Sequence, residues 1–304
     1  MTMSKKTLFC LLAASALTLG AAPRELKVLT VGNSFTWSLR AFLPPVAAAG
    51  GVKLKLEFAN IGGCTMERHW REHLKSEKDP SHLPYSGKYT LRQLLAKEKW
   101  DIVTIQQASP ASWRAATYHP FAENLIGLIR ELAPTAEIVI QETWSYNAAA
   151  PYFAKWGIDS ATMYRRLTEN YRALAAQHGL RVIPAGYAVD LFRRTMGDRL
   201  VARDPADPSQ LQEPAVPRTT DVVGNFRWQE DKKTGKRVLR QDLIHLNPRG
   251  QYLQALVWYG FLFGADPEQS TYEPKGISAE EIALFKRCAK QAIAEFPQVR
   301  RGEK

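Results

Sequence analysis

Five apolar runs of strand length, each separated from the next by enough chain for a helix, constrain this sequence more than any other feature. They are Leu26–Val31, Val52–Phe58, Ile102–Gln106, Glu137–Gln141 and Leu180–Pro184. Strands that alternate with helical segments form a parallel sheet covered on both faces, because each crossover returns the chain to the same end of the sheet. Helical periodicity is clearest over Pro120–Leu132, Ser160–His178, Pro248–Phe263 and Ser278–Glu295. Three stretches break the alternation: Lys75–Thr90, Ser145–Ile158 and Asp198–Gln241. In the last of these, Phe226–Glu230 and Lys236–Arg240 flank Lys233-Thr234-Gly235, the pattern of a β-hairpin. The expected fold is a doubly wound α/β sandwich, in which ligands bind beyond the carboxyl ends of the strands.

The amino-terminal residues bear on location. Ser4-Lys5-Lys6, the apolar stretch Thr7–Leu19 and the small residues Gly20-Ala21-Ala22 read as an export signal. That stretch is too short to span a bilayer, and no later stretch is apolar for long enough. The expectation is a secreted or periplasmic monomer with no integral membrane segment, residues 1–22 being the signal. Residues 23–304 would form one domain with a long insertion at about 198–241. Cys10 lies inside the apolar stretch, which argues against lipoprotein processing there. Loss of the first 22 residues, which carry two lysines and no acid, lowers the net charge from +11 to +9. The basic residues are scattered instead of gathered on one element, which speaks against nucleic acid as a partner and for some attraction to acidic polysaccharides. Cys64 and Cys288 allow one disulfide but no disulfide scaffold.

Two blocks carry candidate chemistry. The first strand ends in Gly32-Asn33-Ser34, so Ser34 stands at the carboxyl edge of the sheet and at the start of a helical segment. There it can act as a nucleophile, or Ser34 or Thr36 can simply cap the helix. A serine nucleophile needs a base, commonly a histidine oriented by a carboxylate. Asp242-Leu243-Ile244-His245, just before the helix opening at Asn247-Pro248, supplies that pair. Asp79-Pro80-Ser81-His82 has the same spacing but follows no strand.

In this order the blocks resemble those of the SGNH, or GDSL, hydrolases, specifically a branch with a Gln-Gln-x-Ser third block. The resemblance implies a three-layer α/β/α sandwich on a five-stranded flavodoxin-like parallel sheet, and a triad of Ser34, His245 and Asp242. It implies an oxyanion hole from the N–H groups of Ser34 and of Gly63, in Asn60-Ile61-Gly62-Gly63-Cys64-Thr65. The third block departs from the family, because Gln106-Gln107-Ala108-Ser109 stands where an asparagine is usual. A glutamine amide can donate the same hydrogen bond, with Gln107 the first candidate and Gln106 the second. The expected activity is hydrolysis of an ester, O-acetyl groups on carbohydrate above all, with no metal or organic cofactor. The substrate would be a small-molecule or polysaccharide ester.

Other readings compete. His69-Trp70-Arg71-Glu72-His73 has the His-x-x-Glu-His spacing that puts two imidazoles on one helix face, so a zinc hydrolase using His69 and His73 is one alternative. A non-catalytic glycan-binding module on the same fold is another. Trp37, Trp144 and His69 are candidate substrate contacts, with Trp144 the best placed for stacking on a sugar ring.

Overall fold

A computed structural model describes residues 25–298; the candidate signal segment lies outside the described residues. β1 (Glu25–Gly32), β2 (Lys53–Asn60), β3 (Ile102–Ile105), β4 (Glu137–Gln141) and β5 (Arg181–Ile183) form one parallel sheet in the order β2-β1-β3-β4-β5. Each lies within two residues of its expected bounds: the central strands β3 and β4 are legible as unbroken apolar segments, whereas the edge strand β2 alternates Leu54, Leu56 and Phe58 with charged residues and is only half-buried over most of its length. The order is flavodoxin-like. The chain steps from β1 to β2 in one direction and from β3 to β5 in the other, so the crevice beside β1 is a topological switch point.

The helices are α1 (Ser34–Trp37), α2 (Leu43–Ala49), α3 (Met66–Lys78), α4 (Leu91–Ala96), α5 (Ser109–Ser112), α6 (Phe121–Leu132), α7 (Tyr152–Trp156), α8 (Ser160–His178), α9 (Ala185–Met196), α10 (Pro248–Phe263) and α11 (Ala279–Glu295). On one face α10 packs against α2, α9 and α11; on the other α6 packs against α3 and α4. The long helices start and stop where their termini are chemically marked. Asn247 caps α10 with Pro248 at its first position, and Gly264 ends it in the left-handed conformation. Ser278 and Glu281 form a reciprocal capping box on α11. The middle of α10, Tyr252 to Phe261, is buried on every side, which makes it the centre of its layer.

The stretch after α9 differs from expectation in one respect. The hairpin is longer than its turn signals suggest: β6 is Val223–Glu230 and β7 is Arg237–Leu246, paired antiparallel. Asp242 and His245 therefore stand on a strand that runs up to the cap of α10.

Candidate active site

The parallel register brings the carboxyl ends of β1, β2 and β3 abreast. Gly32 pairs with Asn60, and Val31 with Ile105. The residues that follow therefore meet, and the packing is close. A Cβ on Gly32 would lie 2.7 Å from Thr36 Oγ1 and 3.3 Å from Gln106 Cδ, so only glycine fits there.

Asn33 turns the chain from β1 into α1. Its backbone is extended and its Oδ1 accepts from Phe35 N at 3.0 Å, capping the helix and leaving Ser34 at the first helical position. Behind it runs a chain of buried amides, all of one sense. Gln254 Nε2 donates to Gln141 Oε1 at 3.2 Å, and Gln141 Nε2 to Gln106 Oε1. Gln106 Nε2 donates to Asn33 Oδ1 at 2.8 Å, and Asn33 Nδ2 to Cys64 O at 3.1 Å. These four side chains are buried, and they tie α10, β4, β3, β1 and the glycine turn after β2 into one network. A fully paired buried network of this kind is rigid, because each broken link would leave a desolvated polar atom unpaired.

Across the cleft, His245 Nε2 lies 2.7 Å from Ser34 Oγ, and His245 Nδ1 lies 2.7 Å from Asp242 Oδ2. A carboxylate only accepts, so Nδ1 carries the imidazole proton and Nε2 is left to accept from the serine hydroxyl. Asp242 Oδ1 also accepts from the backbone N–H groups of Ile244 and His245, each at 3.1 Å. Burial alone would raise the Asp242 carboxyl; the hydrogen bonds and charge of His245 outweigh it and hold the group below its ordinary value. The structure thus joins Ser34, His245 and Asp242 in one hydrogen-bonded line.

Gly63 takes φ +61°, a left-handed conformation that favours glycine, in an exposed turn. Among the described residues, neither its N–H nor that of Ser34 has a hydrogen-bond partner.

Several expected contacts fall elsewhere. Gln107 is fully buried. Its Oε1 accepts from Met66 N at 3.0 Å and Ala108 N at 2.9 Å, and its Nε2 donates to Thr117 O at 2.9 Å, so its amide holds two loops together and is not a third oxyanion donor. Gln106, the second candidate, is turned inward to Asn33. Trp144 borders the cleft but has no exposed face for a sugar to stack on: it is fully buried, stacked on Phe35 at 4.1 Å with an interplanar angle of 2°, and its Nε1 donates to Ile244 O at 3.0 Å. It buttresses both halves of the site from beneath. Trp37 is half-buried and does line the cleft.

His69 neither lines the cleft nor is free to bind zinc. It is fully buried, with Nε2 2.9 Å from Gly32 O and Nδ1 2.9 Å from the Tyr85 hydroxyl. Burial pushes it down to about 4, so it is neutral at pH 7. Both ring nitrogens being engaged, the pair His69/His73 cannot act as zinc ligands without dismantling the end of β1. Glu72, the glutamate of that motif, receives His82 Nε2 at 2.5 Å. Cys64 and Cys288 are both buried free thiols, pushed up by burial to about 12 and about 11.

The sequence gives no sign that the segment 142–147, directly after β4, anchors the hairpin, beyond the run of polar residues that follows the apolar strand. Asn147 Nδ2 donates to Ala202 O at 3.0 Å and Val223 O at 2.8 Å, and Asn147 N donates to Leu243 O at 3.0 Å. Asp221, at the foot of the hairpin, forms a two-point ion pair with Arg193, at 3.1 Å to Nε and 2.9 Å to Nη2. Arg193 Nη1 also donates to Ser145 Oγ at 2.7 Å.

A family model described as "Domain of unknown function (DUF4886)" matches residues 27–205. No curated protein matches the chain in sequence. Among solved structures, a DUF4886 family protein from Bacteroides uniformis superimposes with a TM-score of 0.69 at 23% identity, covering 90% of this chain and 96% of that one. A candidate SGNH hydrolase from Slackia heliotrinireducens gives 0.49 at 21% identity, over 79% of this chain and 100% of that one. An acetyl xylan esterase gives 0.46 at 14% identity, over 78% and 100%. At these identities the likeness is one of fold.

Proposed function

The chain belongs to the DUF4886 family and has the SGNH-type α/β/α fold, and on that premise we propose that it is a serine esterase that removes acyl groups, acetyl in particular, from carbohydrate. One observation carries the reading: the line from Ser34 Oγ through the His245 imidazole to the Asp242 carboxylate, with 2.7 Å at both links. In a purely structural role this line would be an odd expense of design, since a half-exposed serine needs no oriented histidine.

The reaction follows from the geometry. Ser34 Oγ attacks the ester carbonyl as its proton passes to His245 Nε2, and Asp242 stabilises the imidazolium through Nδ1. The carbonyl oxygen, now negative, is received by the N–H groups of Ser34 and Gly63, which lack internal partners. With the Gln107 amide engaged elsewhere, the hole is built from these two backbone donors. Collapse of the tetrahedral adduct breaks the bond to the alcohol, which takes the proton from His245. A water activated by the same imidazole then releases the acid from Ser34. The cleft over Ser34 encloses about 330 Å³, which suits a short acyl group and part of one sugar residue. Export, expected from residues 1–22, would place the enzyme where polysaccharide is met. Among the described residues no helix is long and apolar enough to cross a membrane.

Ser34→Ala tests this. Hydrolysis of aryl acetates and of acetylated glycans should fall about 10,000-fold or more while the circular dichroism spectrum and melting temperature are kept. Retained turnover in a purified, folded Ser34→Ala protein would sink the mechanism.

A further inference from the structure

The cleft over Ser34 is walled on one side by α1 and the turn after it, and on the other by the foot of the β6–β7 hairpin. Beyond His245, two ionisable side chains line it, Asp242 and Arg40. Asp242 is engaged with His245. Arg40 is exposed, and among the described residues it has neither a hydrogen bond nor a carboxylate within 4.0 Å. Its guanidinium lies 4.6 Å from the centre of the Phe58 ring and 5.4 Å from that of Trp37. Ring faces hold the planar fork in place but leave its N–H edges without acceptors. An arginine oriented in this way, at the mouth of a cleft, is ready for a carboxylate from outside.

The opposite wall carries the same sign outward. Asn225 and Asp242, directly paired, both line the cleft. The next pair on that face of the hairpin, about 7 Å further along, is Arg227 with Arg240. Like charges directly opposite in a ladder are unfavourable on their own. Asp231 neutralises Arg240 at 2.8 Å, whereas among the described residues Arg227 reaches only the Gln229 amide at 3.3 Å. An uncompensated guanidinium thus stands on each wall, one at the cleft and one further out.

Resting on the esterase reading above, we propose that the ester is carried on an acidic polysaccharide of the polyuronate class, with Arg40 binding a carboxylate beside the scissile ester and Arg227 a carboxylate further along the chain. A repeating anion fits two separated cations better than a lone charged group does.

The test compares kcat/KM of the full chain on O-acetylated polygalacturonate and on O-acetylated xylan. The ratio, taken with one enzyme preparation, is insensitive to loss of folded protein. The wild type should favour the polyuronate, and the preference should shrink as salt is added. Arg40→Gln should lower the ratio about fivefold or more, Arg40→Lys should fall between, and adding Arg227→Gln should lower it further. A wild type that treats both glycans alike, or a ratio that Arg40→Gln leaves in place, overturns the assignment while the esterase reading stands. A wild type that cleaves neither ester removes both.

Discussion

Ser34 is held from behind by buried amides on the rigid sheet, whereas Asp242 and His245 ride on a hairpin pinned at its foot. Behind Ser34, Asn33, Gln106, Gln141 and Gln254 pass hydrogen bonds from one to the next across three strand ends and a helix. Under the hairpin the attachments come from the loop after β4 and from α9: Trp144 Nε1 to Ile244 O, Asn147 to the backbones of Val223 and Leu243, and Asp221 to Arg193. Further out the hairpin meets the excursion that precedes it, as where Trp228 Nε1 donates to Ala215 O at 2.7 Å. That contrast sets where each kind of damage should show. The serine side fails by losing stability and aim together; the hairpin side fails when its foot is loosened.

The largest expected effect on stability is at that foot. Asp221→Ala leaves the nearly buried Arg193 without its carboxylate, which should cost about 3–5 kcal/mol in denaturant unfolding. If the contrast holds, activity should fall further than the folded fraction does, because Asp221 Oδ2 also accepts from Asn147 Nδ2 at 3.2 Å, and the Asn147 N–H holds Leu243 O on the histidine strand.

Next comes a pH effect on the serine side. His69 is depressed to about 4 by burial, below its ordinary 6.5. The unfolded chain therefore takes up a proton first as the pH falls. Stability contributed by neutral His69 is fully present above pH 6.5 and is lost progressively down to about pH 4, on the order of 3 kcal/mol in all. His69→Gln should remove that slope between pH 6.5 and 4, measured as the difference from wild type in unfolding free energy. A slope equal in both proteins would show that His69 is not the group responsible.

Breaking the amide chain should cost somewhat less. Gln106→Leu strands Asn33 Oδ1 of one donor and leaves Gln141 Nε2 unpaired, about 2 kcal/mol, and should lower kcat about tenfold through a misplaced Ser34. The smallest effect is expected where the two regions meet. Trp144→Phe keeps an aromatic ring against Phe35 but frees the Ile244 carbonyl, for about 1 kcal/mol and a modest fall in kcat with little change in KM.

Much of the fold was legible because its signals are local. The central strands β3 and β4 leave unbroken apolar runs, β2 leaves an alternating one, and Asn247-Pro248, Ser278 with Glu281, and the glycines after α8 and α10 mark helix ends chemically. Ser34, Asp242 and His245 were legible as blocks in order, since a hydroxyl, an imidazole and a carboxylate have few reasons to fall after the right strands. What stayed hidden depends on side-chain direction. Beyond the last paired residue of a strand the alternation of faces lapses, so nothing in Gln106-Gln107 says that one turns to Asn33 and the other to Met66 and Thr117. The same holds for Trp144, whose indole size suggests a platform but whose N–H finds a backbone acceptor underneath. The hairpin was seen at its turn but not at its full length, because Asp242 to His245 reads as the approach to a helix until the pairing of Asn225 with Asp242 is known.

The central claim is that Ser34 is an activated nucleophile, and covalent labelling reaches it most directly. The folded wild-type chain, treated with a fluorophosphonate and digested for mass spectrometry, should carry one adduct on Ser34, and the adduct should vanish in Ser34→Ala and fade steeply in His245→Ala. A folded wild type left unlabelled at Ser34, or labelled there as readily without His245, would contradict the account.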